Sequence, residues 1–172
     1  MARQSNTLRI IGGDLRGRKI SFPDAKDLRP TPDRVRETLF NWLQMQIHGA
    51  RCLDLYAGSG ALGLEALSRG AAEVVFVERD GRVLQKLREN LALLGLDKGR
   101  CVQARAEQFL HGAAERFDIV FLDPPFKDDV LAGLCVSLEA GGWLSDEFRL
   151  YMERPQRMAM PNLPVGWQVL RE

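Results

Sequence analysis

Short apolar segments alternate with longer amphipathic segments along most of this chain. From residue 51 onward, apolar runs of strand length occur at 52–56, 74–78, 100–104, 118–122 and near 150–153. The intervening segments have apolar residues at helical spacing, which predicts helices at 61–69, 82–94, 129–138 and one ending near 114. Such alternation predicts an open, doubly wound α/β domain with a mostly parallel sheet covered on both faces. Because such domains bind ligands at the carboxyl ends of their strands, the residues at those ends are the candidates for chemistry.

The N-terminal residues follow a different pattern. Two β-like pieces, 8–11 and 18–22, are separated by glycines and predict a small hairpin or an extended arm. A helix is predicted at 33–45, because apolar residues recur there at helical spacing and because Thr31 followed by Pro32 is typical of a helix start. We expect both large aromatic side chains of this helix in the core: Phe40 and Trp42.

Composition narrows the class of protein. The 172 residues are 45% hydrophobic and 27% charged, which is typical of one globular domain. No apolar run approaches the roughly 20 residues of a membrane helix, and the N-terminus leads into no signal-peptide core. The three cysteines are odd in number, and neither they nor the two histidines have metal-ligand spacing. We therefore expect a cytoplasmic monomer with reduced cysteines and no metal site.

Charge is distributed unevenly along the chain, although the net charge is only +1. Residues 1–36 contain nine basic and four acidic side chains, whereas the other residues contain 15 basic and 19 acidic ones. A basic segment on a mildly acidic body predicts a polyanionic partner, but a solvated tail would have the same charge. We divide the chain into a basic N-terminal arm or hairpin, 1–30, and an α/β domain, 31–172.

The first predicted strand of that domain runs into a glycine-rich turn. Gly58, Gly60 and Gly63 satisfy the pattern Gly-x-Gly-x-x-Gly, and Glu78 ends the next strand, where it could accept hydrogen bonds from a ribose. This pattern fits a nicotinamide dinucleotide as well as S-adenosylmethionine (AdoMet). Asp54 favours AdoMet, because a carboxylate just before the turn would repel a pyrophosphate but would suit an ammonium group.

The fourth strand ends in Asp123-Pro124-Pro125-Phe126. Consecutive prolines hold the backbone extended and offer no amide hydrogens, so this loop presents a carboxylate, a carbonyl oxygen and an aromatic ring. Asp123 and the Pro124 carbonyl could accept the two hydrogens of a nucleobase amine while Phe126 stacks on the ring, which contributes roughly 1–3 kcal/mol per base. Acceptors placed there would stabilise the charge that develops on the amine during methyl transfer.

Together the two loops resemble class I AdoMet methyltransferases that act on amino nitrogens of nucleobases. Three N-terminal segments are similar to the RsmD family, the bacterial 16S rRNA guanine-N2 methyltransferases: Arg9-Ile-Ile-Gly-Gly13, Arg16-Gly-Arg-Lys19 and Arg29-Pro-Thr-Pro-Asp-Arg-Val-Arg-Glu-Thr-Leu-Phe-Asn-Trp42. The resemblance covers nearly the whole chain. It implies a Rossmann-like fold, AdoMet as donor with S-adenosylhomocysteine as product, and 16S rRNA or the small ribosomal subunit as partner.

The resemblance also implies functional residues. Asp123, Pro124 and Phe126 are expected to face the target guanine. The expected cofactor-binding residues are Asp54, Tyr56, Ala57, Gly58, Ser59, Gly60, Glu78, Arg79 and Ala106. The expected RNA-binding residues are Arg16, Arg18, Lys19, Arg29, Arg34 and Arg36.

Some alternatives stay open at the level of sequence. The Asp-Pro-Pro-Phe loop alone would also suit an adenine-N6 methyltransferase, the glycine pattern an NAD-dependent oxidoreductase, and the basic arm a non-catalytic RNA-binding protein. Relatives in the RsmD family usually continue into a further antiparallel strand. Either this sheet is one strand short or the sequence is truncated, and a sheet without that strand would have an exposed edge.

Overall fold

The computed structural model describes residues 6–125 and 129–172. In these residues an antiparallel hairpin precedes a five-stranded sheet. The strands are β1 (Asn6–Arg9), β2 (Lys19–Phe22), β3 (Arg51–Asp54), β4 (Glu73–Glu78), β5 (Gly99–Gln103), β6 (Phe117–Leu122) and β7 (Leu144–Met152). The helices are α1 (Asp33–Trp42), α2 (Ala61–Ser68), α3 (Gly81–Leu93), α4 (Ala106–Phe109) and α5 (Leu131–Ala140).

The large sheet has the strand order β5-β4-β3-β6-β7, and all neighbouring strands are parallel. The chain therefore runs from β3 outward to β5 and then returns to pair β6 with the other side of β3. This arrangement confirms the predicted Rossmann-like, doubly wound class. The reversal of strand order opens a crevice at the carboxyl ends of β3 and β6, where such folds bind ligands.

Both faces of the sheet are covered, which explains why its strands are almost continuously apolar. Along β4, Val74 and Phe76 belong to a hydrophobic cluster shared with the hairpin, α1, α2 and α3. Val75 and Val77 belong to a second cluster shared with α4 and α5. Successive side chains of a strand point to opposite faces, so a short run of Val and Phe fills both layers.

The N-terminal hairpin packs on the domain as part of one core. Its inward side chains, Leu8, Ile10, Ile20 and Phe22, lie in the same cluster as α1 to α3. The boundary predicted after residue 30 therefore does not separate two hydrophobic cores.

A buried acid on α2 also connects the hairpin to the domain. The Glu65 side chain is completely buried, and it accepts hydrogen bonds from the backbone amides of Ile11 and Gly12 at 3.0 and 2.8 Å. The Arg36 and Arg69 guanidinium groups pair with the same carboxylate at 3.4 and 2.9 Å. Glu65 is thus satisfied by two amides from the hairpin and by two arginines.

This network corrects one predicted RNA contact. Arg36 is only 1% exposed, and besides Glu65 its guanidinium donates to Asp33 and to the backbone carbonyls of Thr31 and Arg9. A side chain so enclosed cannot reach RNA phosphates, so Arg36 stabilises the fold instead. A charged residue on an amphipathic helix normally faces water, and only the tertiary packing shows the exception.

The first helix differs from its prediction in two respects. It begins at residue 33 as predicted, but its N-cap is Pro32 rather than Thr31, whose side chain is buried and turned toward the loop that follows β6. Phe40 is buried as expected, but Trp42 is 42% exposed, and its prediction as a core residue was wrong. Side chains two positions apart in sequence point about 200° away from each other around a helix, so the rings of Phe40 and Trp42 cannot both face the same core.

The last strand, β7, is longer than the segment predicted for it and lies at the edge of the sheet. Within the described residues β7 pairs with β6 alone, and residues 153–172 contain no strand. No helix in these residues is long and apolar enough to cross a membrane.

Candidate active site

A cleft of about 920 Å³ lies at the carboxyl ends of β3, β4 and β6. One acid from each strand end lines it, namely Asp54, Glu78 and Asp123. The loops that follow β3 and β6 therefore face one cavity, whose volume is in the range of roughly 300–1,000 Å³ that small-molecule sites occupy. A second cavity of about 350 Å³ lies between the hairpin and α3, away from these strand ends.

The glycine turn after β3 has the backbone conformation that its sequence predicted. Gly58 and Gly60 have φ angles of +53° and +84°, in the left-handed region that favours glycine. The Gly58 amide donates to Glu78 Oε2 at 2.9 Å, and the Asp80 amide donates to Glu78 Oε1 at 3.0 Å. These bonds orient Glu78 at the cleft, and each of its carboxylate oxygens can still accept a further hydrogen bond.

The later glycines of the pattern serve packing. Gly60 is not among the residues that line the cleft. It is the N-cap of α2, and a Cβ there would lie 2.4 Å from Leu87 Cδ1 on α3. A Cβ on Gly63 would lie 2.2 Å from Phe76 Cε1, so this glycine lets α2 approach β4. Both glycines thus let α2 pack closely on its neighbours, and the cofactor contact at Gly60 stays a prediction.

Asp54 is the most deeply buried acid of the cleft, with a residue exposure of 1%. It accepts hydrogen bonds from the backbone amides of Tyr56 and Gly63, but Oδ1 has no partner within the described residues. Burial, followed by the nearby Asp123 carboxylate, raises the pKa of Asp54 to about 8. A buried carboxylate oxygen without a donor is costly, so this position suits a cationic group such as the ammonium end of AdoMet.

Asp123 follows β6, the strand that neighbours β3 in the sheet. The Thr31 hydroxyl donates to Asp123 Oδ2 at 3.5 Å. Burial, followed by the neighbouring Glu153 carboxyl, raises the pKa of Asp123 to about 7. Pro124 also lines the cleft, whereas Phe126 lies outside the described residues.

Two cleft residues near Asp123 were not predicted from the sequence, Thr31 and Glu153. Glu153 follows β7, and its backbone amide donates to the Leu122 carbonyl at 2.9 Å. The Tyr151 hydroxyl donates to Glu153 Oε2 at 3.3 Å. Glu153 could have been predicted, because it is an acid at the end of a predicted strand. Thr31 could not, because a threonine before a proline is typical of a helix cap.

The other predicted residues divide between the cleft and the surface. Further cofactor-binding candidates line the cleft: Tyr56, Ala57, Ser59, Arg79 and Ala106. Among the predicted RNA contacts, Arg29 lines the cleft. The remaining candidates are exposed and lie outside it: Arg16, Arg18, Lys19 and Arg34. The cleft also includes basic residues that were not predicted, Lys26 and Arg105. The part of the chain that the structure describes holds no cluster of three or more metal-ligating side chains.

Comparison with known proteins identifies the family. The ribosomal RNA small subunit methyltransferase D of Escherichia coli (strain K12) is 49% identical over 168 residues, which are 98% of this chain and 85% of that protein. This chain belongs to the RsmD family. A family model described as "Conserved hypothetical protein 95" matches residues 8–172. The RsmD relative from Haemophilus influenzae is 40% identical, over 96% of this chain and 87% of that protein.

A solved structure agrees with this assignment. The putative methyltransferase yhhF from Escherichia coli superposes with a TM-score of 0.90 at 49% identity, over 96% of this chain and 91% of that one. The RsmD resemblance predicted from the two strand-end loops and the N-terminal segments is thereby confirmed.

Proposed function

We propose that this protein transfers a methyl group from AdoMet to the exocyclic N2 amine of a guanine in small-subunit (16S) rRNA. The observation that carries the proposal is that the loops after β3 and β6 line one cleft. Asp54 and Asp123 lie close enough across it for the Asp123 charge to raise the pKa of Asp54. Similarity to proteins named ribosomal RNA small subunit methyltransferase D supports rRNA as the substrate.

On the β3 side, the residues present fit AdoMet. Asp54 Oδ1 would accept a hydrogen bond from the ammonium group, and Glu78, held by two backbone amides, would accept hydrogen bonds from the ribose. Ala106, at the start of α4, would lie beside the adenine. When bound, AdoMet supplies an electrophilic methyl group on a sulfonium sulfur.

On the β6 side, Asp123 and Pro124 would hold the guanine. The lone pair of an exocyclic amine is delocalised into the ring, so the nitrogen must become more tetrahedral before it can attack. Asp123 and the Pro124 carbonyl would favour that geometry by accepting the two amino hydrogens. The carboxylate would also stabilise the positive charge that develops on nitrogen, an interaction that strengthens in the transition state.

RNA outside the cleft would contact the exposed basic residues. Arg16, Arg18 and Lys19 lie on or beside the turn of the hairpin, and Arg34 lies in the first turn of α1. Phosphate contacts of this kind orient a nucleic acid without reading its sequence. The guanine would have to be unpaired or extruded for its amine to enter the cleft.

The proposal is tested with small ribosomal subunits that lack the modification. They are incubated with the protein and methyl-labelled AdoMet, and the rRNA is digested and analysed by mass spectrometry. We expect labelled N2-methylguanine. N6-methyladenine as the product would support the adenine alternative instead, and no methylated nucleoside would refute the proposal.

Two variants test whether methyl transfer depends on Asp123 in the cleft. Asp123→Ala should lower turnover by roughly 10²–10⁴-fold, the range for loss of a group that acts in the transition state. AdoMet affinity should not fall, because Asp54 and Glu78 remain. Asp146→Ala is the matched control, since Asp146 is a highly exposed acid on β7. Normal turnover in Asp123→Ala would remove this residue from the mechanism.

A further inference from the structure

The register of β6 and β7 brings a second acid to Asp123. Leu122 on β6 is paired with Met152 on β7, so the next residues, Asp123 and Glu153, leave the sheet side by side. The Glu153 backbone amide donates to the Leu122 carbonyl, which holds the two strand ends in this register. Neighbouring strands are only about 4.8 Å apart, so side chains leaving the sheet together can meet.

The two carboxyl groups are within hydrogen-bonding reach of each other. Such a contact requires a proton on one of them, because two carboxylates offer only acceptors. Each acid also has a hydroxyl donor, Thr31 for Asp123 at 3.5 Å and Tyr151 for Glu153 at 3.3 Å. The carboxyl pair is therefore held by neutral donors on both sides.

The carboxyl pair lacks a direct counter-ion within the described residues, which favours a shared proton. Asp54 and Glu78 line the same cleft, and both are acidic. Four cationic side chains line the same cleft: Lys26, Arg29, Arg79 and Arg105. No ion pair of the described residues includes Asp123 or Glu153, so the carboxyl pair has no direct counter-ion.

We propose that Glu153 makes Asp123 the acceptor for the proton that the amine loses during methyl transfer. This inference rests on the function proposed above. As the nitrogen–carbon bond forms, the carbon–sulfur bond breaks and sulfur keeps the electron pair. The methylated nitrogen then gives a proton to the Asp123 carboxylate. Glu153, half-buried at the cleft, passes it on to solvent.

The physical reason is the match between an acceptor's proton affinity and the pH at which it works. An isolated aspartate, with a pKa of about 3.9, holds a proton too weakly to be an effective base near neutral pH. Burial and the Glu153 carboxyl raise the pKa of Asp123 to about 7. Glu153→Gln removes the like charge and supplies an amide donor, and both changes should lower the pKa of Asp123.

The first test needs neither AdoMet nor RNA. Carbon-13 NMR follows the side-chain carboxyl carbon of Asp123 in the protein alone as pH is varied. We expect this carbon to report a midpoint near 7, well above that of an isolated aspartate. In Glu153→Gln the Asp123 midpoint should fall by more than about one pH unit. Glu147→Gln, an exposed acid on β7, is the control and should leave it unchanged.

The second test is the pH dependence of methyl transfer. In Glu153→Gln the acidic limb of the rate profile should move to lower pH while the plateau rate falls, because Asp123 stays ionised but becomes a weaker base. An Asp123 midpoint that is unchanged in Glu153→Gln, or a rate loss that is equal at every pH, would overturn the inference even if the protein methylates rRNA. Absence of methyl transfer by the unmodified protein would instead overturn the proposed function, whatever the NMR titration shows.

Discussion

Replacing Glu65 tests how the hairpin is held on the domain. Its carboxylate is completely buried and accepts hydrogen bonds from the Ile11 and Gly12 amides at 3.0 and 2.8 Å. It also pairs with Arg36, which is 1% exposed, and with Arg69. Glu65→Ala therefore removes one acceptor from four donors at once, and it leaves the Arg36 cation in the core without its buried partner.

The expected loss in the free energy of unfolding follows from the Arg36 cation that remains in the core. Removing one member of a buried ion pair costs about 3–5 kcal/mol, because the other charge stays desolvated. The two amides could add about 1–3 kcal/mol each if they stayed buried, but the hairpin can move away and expose them to water. We therefore expect Glu65→Ala to lower the free energy of unfolding by about 3–5 kcal/mol, a large share of the 5–15 kcal/mol typical of a domain.

Urea unfolding followed by circular dichroism measures this loss, and hydrogen exchange measures the protection of the Ile11 and Gly12 amides. Glu89→Ala is the control, since Glu89 pairs with Lys86 at 3.3 Å on the exposed face of α3. It should cost less than about 0.5 kcal/mol. A loss below about 1 kcal/mol in Glu65→Ala, with both amides still protected, would refute the role we assign to this network.

Three other predictions concern the cofactor, the packing and the RNA. Asp54→Asn should weaken AdoMet binding by roughly 10–100-fold, the loss expected for one charged hydrogen bond. The pKa of Asp54 in the unbound protein is about 8, so binding an ammonium at pH 6.5 should release a proton, and calorimetry should find no such release in Asp54→Asn. Gly63→Ala should lower the free energy of unfolding by about 1–3 kcal/mol, measured in urea, because its Cβ would overlap Phe76. Replacing Arg16 and Lys19 with alanine should weaken RNA binding and reduce its salt dependence, measured by titration at several salt concentrations.

Each of these has a result that contradicts it. AdoMet affinity that is equal in Asp54→Asn would place the ammonium elsewhere. An unchanged stability of Gly63→Ala would mean that α2 moves away from β4 at little cost. An unchanged salt slope in the Arg16 and Lys19 variant would show that these side chains do not contact phosphates.

Local signals in the sequence determined the fold class and the two loops of the cleft. Periodicity predicted the strands and helices. A strand buried on both faces must be apolar throughout, whereas an amphipathic helix has apolar residues that recur at helical spacing. The glycines after β3 and the prolines after β6 act through the backbone of their own residues. The presence of Asp54 and Asp123 at the strand ends that line the cleft could therefore be predicted from the chain alone.

Only the tertiary structure decided which distant residues join these loops and which do not. Arg36 looked like a surface cation, but it lies in the core because α2 brings Glu65 to it. Thr31 and Glu153 reach Asp123 from segments 92 and 30 residues away along the chain. Gly60 also lets α2 approach Leu87 on α3. Such contacts depend on how whole elements pack, and spacing along the chain carries no direct record of that packing.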